Sequence, residues 1–166
     1  MTTYTASLPT GIGPFTIITD IDGSVLAAGW TDDVDALLPL IHPSLRQTPQ
    51  RRGDLGLATR AAAAYHRGEL RAVDQVPVRQ HTAGPFLAAA WKVLREIDPG
   101  APVDYTELAR RTGNPAASRA AAQACARNAA ALFVPCHRVV RADGSLGGFR
   151  WGLAAKRWLL AHEATN

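Results

Sequence analysis

The sequence predicts an α/β N-terminal half, a small sheet with a helix, followed by a mostly α half containing a helix-turn-helix. Three observations carry this. Two apolar runs, Phe15–Thr19 and Ser24–Trp30, flank Asp20–Gly23, which is turn chemistry for a β-hairpin. Beyond residue 82 the apolar side chains recur at helical spacing instead. Between the two patterns "HTAGP", 81 to 85, reads as a boundary, giving an α/β domain over 1–82 and a helical domain over 83–166.

In the first half, Leu37, Leu38 and Ile41 predict a helix over 32–42 behind the possible caps Asp32 and Asp33, with Pro39 able to kink or end it. An alanine-rich stretch predicts a helix over 54–67 that stops near Gly68, and "RAVDQVPVRQ", 71–80, predicts one more strand.

In the second half "PFLAAAWKVLREI" sets Phe86, Ala90, Val93, Leu94 and Ile97 along one side of a helix. Asp104 caps a short helix over 105–111, with Glu107 placed as in a capping box. Gly113–Asn114–Pro115 ends it, and Pro115 suits the start of a second helix over 116–127. Two short helices about a tight glycine-containing turn make a helix-turn-helix, a pattern that any αα-hairpin shares. Between Ala116 and Ala126 the second helix offers almost nothing large except Arg119 and Gln123. Such a surface suits close approach either to a DNA minor groove or to a neighbouring helix. A last helix, 152–163, follows "DGSLGG".

Composition narrows the function. The chain has 166 residues, 47% hydrophobic and 19% charged, which fits a globular protein with a real core. No apolar run reaches membrane-span length, and "MTTYTASLPTGIGPF" lacks the basic start and apolar centre of a signal peptide, so the expectation is a cytoplasmic protein. Cys125 and Cys136 are too few for a disulfide framework or a Cys-rich zinc site, and the five histidines show no HxxxH spacing; no metal is expected. The net charge is +4, but residues 1–82 hold seven Arg against eight acids. Residues 83–166 hold nine Arg and two Lys against six acids. The positive half fits an anionic partner, nucleic acid first, or a solvated basic face.

The stretch "LFVPCHRVVRADGSLGGF", 132–149, sets Cys136 between Pro135 and His137. A cysteine attacks as thiolate and needs a local cause for ionisation. Neighbours on an extended segment point apart, so His137 need not touch Cys136 directly but could act through a water. The residues alone fit a reactive thiol or a structural one.

"VPCHRVV" resembles the signature of the O6-alkylguanine-DNA alkyltransferases, which move an alkyl group from damaged guanine onto their own cysteine and are consumed. The resemblance spans roughly 83–163: "PFLAAAWKVLREIDPGAPVDYTELA", "NPAASRA", "RN", "GFRWG" and "RWLLAHE" stand in order. "FRWG" is most similar to the C-terminal half of the bacterial adaptive-response protein; in the first half only "SLPTGIGPFTII" resembles the family. The resemblance implies direct repair without a cofactor, by a monomer acting on double-stranded DNA that contains O6-alkylguanine. It makes Cys136 the acceptor, His137 its base through water, and Glu163 the group orienting His137. It gives Tyr105 to guanine N3, Arg119 to the gap left by the extruded nucleotide, Asn128 to a hinge, and Gln123 to the DNA face. Backbone of Cys136, Val139 and Arg150 would read the base, walled by Phe149 and Trp151. Arg138 fits an ion pair or a DNA contact, and Cys125 an inert small hydrophobe. Alkyltransferase-like proteins, which recognise without transfer, carry tryptophan at the position of Cys136. A recognition module without transfer and a cysteine hydrolase are the rival classes. Trp151 stands where some relatives have glycine, so its indole should narrow the pocket. Trp151→Gly is expected to increase inactivation by O6-benzylguanine, read as residual transfer after timed exposure; equal sensitivity of the two proteins would rule out the steric role.

Overall fold

A computed structural model describes residues 1–82 and 84–164. The chain divides into two compact units: Met1–His81 together with Ala129–Phe133, and Thr82–Asn128 together with the chain from Val134 on.

The first unit is built on strands β1 (Thr3–Thr10), β2 (Gly13–Asp20), β3 (Val25–Gly29) and β4 (Gln50–Arg51), ordered β3-β2-β1-β4. β1, β2 and β3 pair antiparallel and β4 lies parallel to β1. The expected hairpin is β2–β3, with Asp20 Oδ1 accepting from the N–H groups of Asp22 and Ser24. β1 gave no apolar run to find it by; its inward positions include the hydroxyls of Thr3 and Thr5, and Thr5 Oγ1 donates to Ile17 O at 2.9 Å. Helix α1 (Val34–Leu37) is one turn capped by Asp33, and the chain continues as a 3-10 turn over Leu38–Leu40. The helix expected over 32–42 is thus cut short, because Pro39 has no N–H for the next helical bond. Helix α2 (Leu57–His66) lies where the alanine-rich stretch predicts it and buries Ala58, Ala61, Ala62, Ala64 and Tyr65.

The strand expected over 71–80 is not formed. Ala72–Gln75 make a 3-10 turn, and Val78 alone bridges to Val25. Pro77 gives its carbonyl to Val25 N at 2.8 Å but has no N–H with which to extend a ladder. Residues 129–133, sequentially deep in the second half, run with the first unit. Ala28 N donates to Ala129 O at 2.9 Å, and Ala131 N to Ala28 O at 3.2 Å. Buried Leu132 there adopts φ 75°, a left-handed conformation costing a branched residue about 1–2 kcal/mol.

The second unit contains α3 (Pro85–Leu94), β5 (Val103–Asp104), α4 (Tyr105–Arg111), α5 (Ser118–Ala126), β6 (Val139–Val140) and α6 (Leu153–Ala164). α4 and α5 form the helix-turn-helix and pack against α3, with Ala109, Ala121 and Ala124 buried. Gly113 makes the turn at φ 109°. α5 begins at Ser118, later than the predicted 116, because Asn114 takes the N–H groups of Ala116 and Ala117 into a turn. Trp91 Nε1 donates to Ala124 O at 2.9 Å, fixing α3 to α5. Asp104 caps α4 by accepting from Glu107 N at 2.7 Å, whereas the Glu107 carboxylate is occupied by Arg110 and Arg111. No helix among the described residues is long and apolar enough to cross a membrane.

Losing the α4 cap should cost about 1 kcal/mol. Asp104→Ala is therefore expected to lower the urea midpoint measurably while leaving the unfolding slope unchanged; an unaltered midpoint would show that the cap contributes nothing.

Candidate active site

Cys136 opens a 3-10 turn, Cys136–Arg138, and is half-buried. Three backbone bonds shape that turn: Cys136 N to Val134 O at 2.8 Å, Arg138 N to Pro135 O at 3.1 Å, and Val139 N to Cys136 O. Asn128, just past α5, donates from Nδ2 to Val134 O at 2.7 Å and hydrogen-bonds the Cys136 thiol. Directly after the turn, β6 pairs in parallel with β5 through Val103↔Val139 and Asp104↔Val140. The cysteine segment is thereby fixed to the first residue of the helix-turn-helix, Tyr105.

His137, Arg138 and Glu163 form a buried cluster, none more than 2% exposed. Glu163 Oε1 accepts from Arg138 Nε at 2.9 Å, and Oε2 from Arg138 Nη2 at 3.0 Å. Arg138 Nη1 donates to Ile97 O at 2.7 Å, so each of the three guanidinium nitrogens donates a hydrogen bond. Burial alone would raise the Glu163 carboxyl, but the hydrogen bonds from His137 and Arg138 and the Arg138 charge hold it down at about 2. Glu163 is therefore an anion at neutral pH, and His137 Nε2, 2.7 Å from Oε2, must carry the proton it donates. Burial lowers the His137 pKa despite Glu163, keeping the imidazole neutral. The proton on Nε2 leaves Nδ1 as an acceptor, and this atom is buried with no hydrogen-bond partner among the described residues. A neutral imidazole oriented by an anion, with its second nitrogen available, is the arrangement of a general base.

Burial pushes the Cys136 thiol up; the Asn128 hydrogen bond and the charges of Lys156 and Arg150 oppose it. The resting sulfur is a thiol and reacts only if something takes its proton. Tyr105 is also raised, to about 12, first by burial and then by proximity to Cys125 and Cys136, so its phenol remains a donor. Gly147, at φ 72°, passes close to it: a Cβ there would lie 2.9 Å from the Tyr105 hydroxyl.

The remaining expected residues are distributed in two places. Arg119 and Gln123 sit one turn apart on the exposed face of α5. Phe149, Arg150 and Trp151 lie in the loop before α6, half-buried, exposed and half-buried, and Arg150 Nη2 donates to Ala126 O at 2.8 Å. The Val139 carbonyl, a candidate for base reading, accepts from Lys156 Nζ at 2.7 Å. Lys156 is not among the residues expected from the sequence, yet it is 1% exposed on α6. Its spacing is the signal that was available, since 156, 159 and 163 form one stripe of that helix and all are buried.

The cluster makes its own acid-stability signature. The Glu163 carboxyl sits at about 2 in the folded chain against an ordinary 4.5, so its contribution is complete above 4.5 and disappears as pH falls toward 2. Glu163→Gln leaves Arg138 buried without a counter-charge and should cost about 3–5 kcal/mol near neutral pH. The gap between wild type and variant should close as urea melts are repeated from pH 5 down to pH 2; a constant gap would mean the carboxylate is not held ionised by the fold.

The profile of the "6-O-methylguanine DNA methyltransferase, DNA binding domain" matches residues 85–165. Over 81 residues the chain is 51% identical to the Escherichia coli protein "Bifunctional transcriptional activator/DNA repair enzyme Ada"; the match takes in 49% of this chain and 23% of that protein. A Mycobacterium tuberculosis protein named OGT, solved in complex with DNA, superposes with a TM-score of 0.81 at 27% identity, covering 98% of this chain and 93% of that one. The "Methylated-DNA--protein-cysteine methyltransferase" of Shigella flexneri is 32% identical over 160 residues, 94% of this chain and 92% of its own length. With similarity of that order running almost end to end, the chain belongs to the methylated-DNA–protein-cysteine methyltransferase family.

Proposed function

We propose that the protein repairs O6-alkylguanine in double-stranded DNA by moving the alkyl group irreversibly to Cys136, one event per molecule. The observation that carries this assignment is the Glu163–His137 pair, which presents a neutral imidazole with a free Nδ1 next to a half-buried thiol in the chain. In this reading a water links Cys136 to His137 Nδ1. The thiol proton passes to the imidazole, and the sulfur attacks the alkyl carbon on O6. The S–C bond forms as the C–O bond breaks, and the bonding pair stays on guanine. The proton taken from sulfur returns to the base, so thiol and alkylguanine become thioether and guanine.

Tyr105, kept protonated, donates to guanine N3 as charge builds on the departing base. Arg119 fills the space left by the extruded nucleotide, and Gln123 contacts DNA beside it; their exposure on an otherwise small-residue face of α5 supports both roles. Asn128 is the hinge between α5 and the cysteine turn, supported by its hydrogen bonds to Val134 and Cys136. Backbone of Val139 and Arg150 reads the base between Phe149 and Trp151. The protein acts as a monomer in the cytoplasm, where its two free thiols would persist.

Titration with a duplex holding a single O6-methylguanine separates the alternatives. Transfer should stop at one methyl per protein, with the mass increase confined to the Cys136 peptide and absent from Cys136→Ser. Continued turnover would identify a hydrolase, and tight binding with no mass change a recognition module.

A further inference from the structure

Lys156 is the one long cation of α6 drawn into the interior, and none of the roles above uses it. All three protons of its ammonium have acceptors: Val139 O at 2.7 Å, Gly148 O at 3.3 Å, and Leu146 O. The first belongs to the residue whose N–H closes the Cys136 turn. The other two belong to the glycine-rich loop, in which Gly147 passes against the Tyr105 hydroxyl. A single ammonium therefore joins the cysteine turn, the loop over Tyr105 and α6. A neutral side chain of the same length would fill the space but leave three carbonyl oxygens unsatisfied or dependent on water.

We propose that Lys156 is a positioning residue for alkyl transfer, clamping the 141–149 loop to the Cys136 turn and setting the electrostatic environment in which the sulfur ionises. The groups that act on the Cys136 thiol by hydrogen bond or charge include Asn128, Lys156 and Arg150 of the loop, and Cys125 of α5 and Tyr105 of α4 feel its charge in turn. Of these Lys156 and Arg150 are the cations, and Lys156 is the one fixed by carbonyls on every proton. The two groups act on each other: Lys156 favours the thiolate, and Cys136 in turn favours the ammonium against the burial and the Arg141 charge that lower the Lys156 pKa. Such coupling is reciprocal by linkage.

This inference rests on Cys136 being the acceptor, so the test reads the thiol without DNA as well as with it. Iodoacetamide alkylation of Cys136 followed against pH should show its midpoint displaced upward in Lys156→Met, with alkylation near neutral pH slowed about tenfold for each unit of displacement. Lys156→Arg, which keeps the charge, should return the profile most of the way to wild type, and single-turnover methyl transfer should fall in the order wild type, Arg, Met. A folded Lys156→Met with the wild-type alkylation profile overturns the proposal, whatever its transfer rate.

Should Lys156→Met fail to fold, the wild-type chain supplies the answer. NMR titration of the Lys156 ammonium before and after capping Cys136 with iodoacetamide should show a lower midpoint in the capped protein, because the anionic partner is gone. An unmoved midpoint overturns the proposal. A wild type that alkylates normally yet takes no methyl from damaged duplex would refute the acceptor assignment instead, leaving the lysine–cysteine coupling to stand on its own readout.

Discussion

The Glu163 carboxylate is the fixed point on which the second unit's site depends. It is buried, yet it remains ionised because Arg138 meets it with two hydrogen bonds and spends its third contact on Ile97 O. A carboxylate held this way can only accept, which dictates the protonation of His137 Nε2 and leaves Nδ1 as the basic nitrogen. The tautomer of the imidazole is therefore a consequence of an ion pair formed by the next residue along the chain. Arginine suits that position because its planar fork matches both carboxylate oxygens; a lysine would supply charge without fixing the plane.

A buried ion pair is weak evidence for stability, since desolvation offsets much of the attraction. Its value here is directional. The carboxylate sits near the end of α6, and the turn it organises begins at the candidate nucleophile. With Cys136 raised by burial, the site holds a protonated thiol at rest and, in the next residue, a neutral imidazole already in its acceptor form.

Local chemistry made much of this fold legible: the β2–β3 hairpin from its turn, α2 from alanine, α4 from Asp104, α6 from its position after the glycine-rich loop. What escaped was set by distant partners. β1 has hydroxyls where an apolar alternation would have betrayed it: Thr3 and Thr5 point inward, and Thr5 Oγ1 bonds across to Ile17 O of β2. The stretch 71–80 looks extended, but Pro77 interrupts its pairing after one bridge. Leu132 takes a backbone conformation that its own side chain disfavours, and no reading of "AAALFV" announces it. In the site, a cysteine beside a histidine stands out in the sequence, whereas the choice of carboxylate does not, since His137 and Glu163 are 26 residues apart. Arg138 left two roles open in the sequence and has its side chain in the ion pair here. Lys156 was hidden by the ordinary rule that lysine on a helix points to water.

The same helix delivers both charges. Lys156 and Glu163 are seven residues apart on one stripe of α6, about 10 Å along its axis. Glu163 grips the chain at 137 and 138, and Lys156 grips it at 139 and again at 146 and 148. Two opposite charges on one rigid element thus hold the segment that follows Cys136 at successive residues, the anion acting on side chains and the cation on carbonyls. A rotation of α6 by one residue would withdraw both at once, so the face that packs this helix is the face that assembles the site. Packing and chemistry are the same constraint here, which explains why a helix with so modest an apolar stripe buries a lysine and a glutamate rather than two leucines.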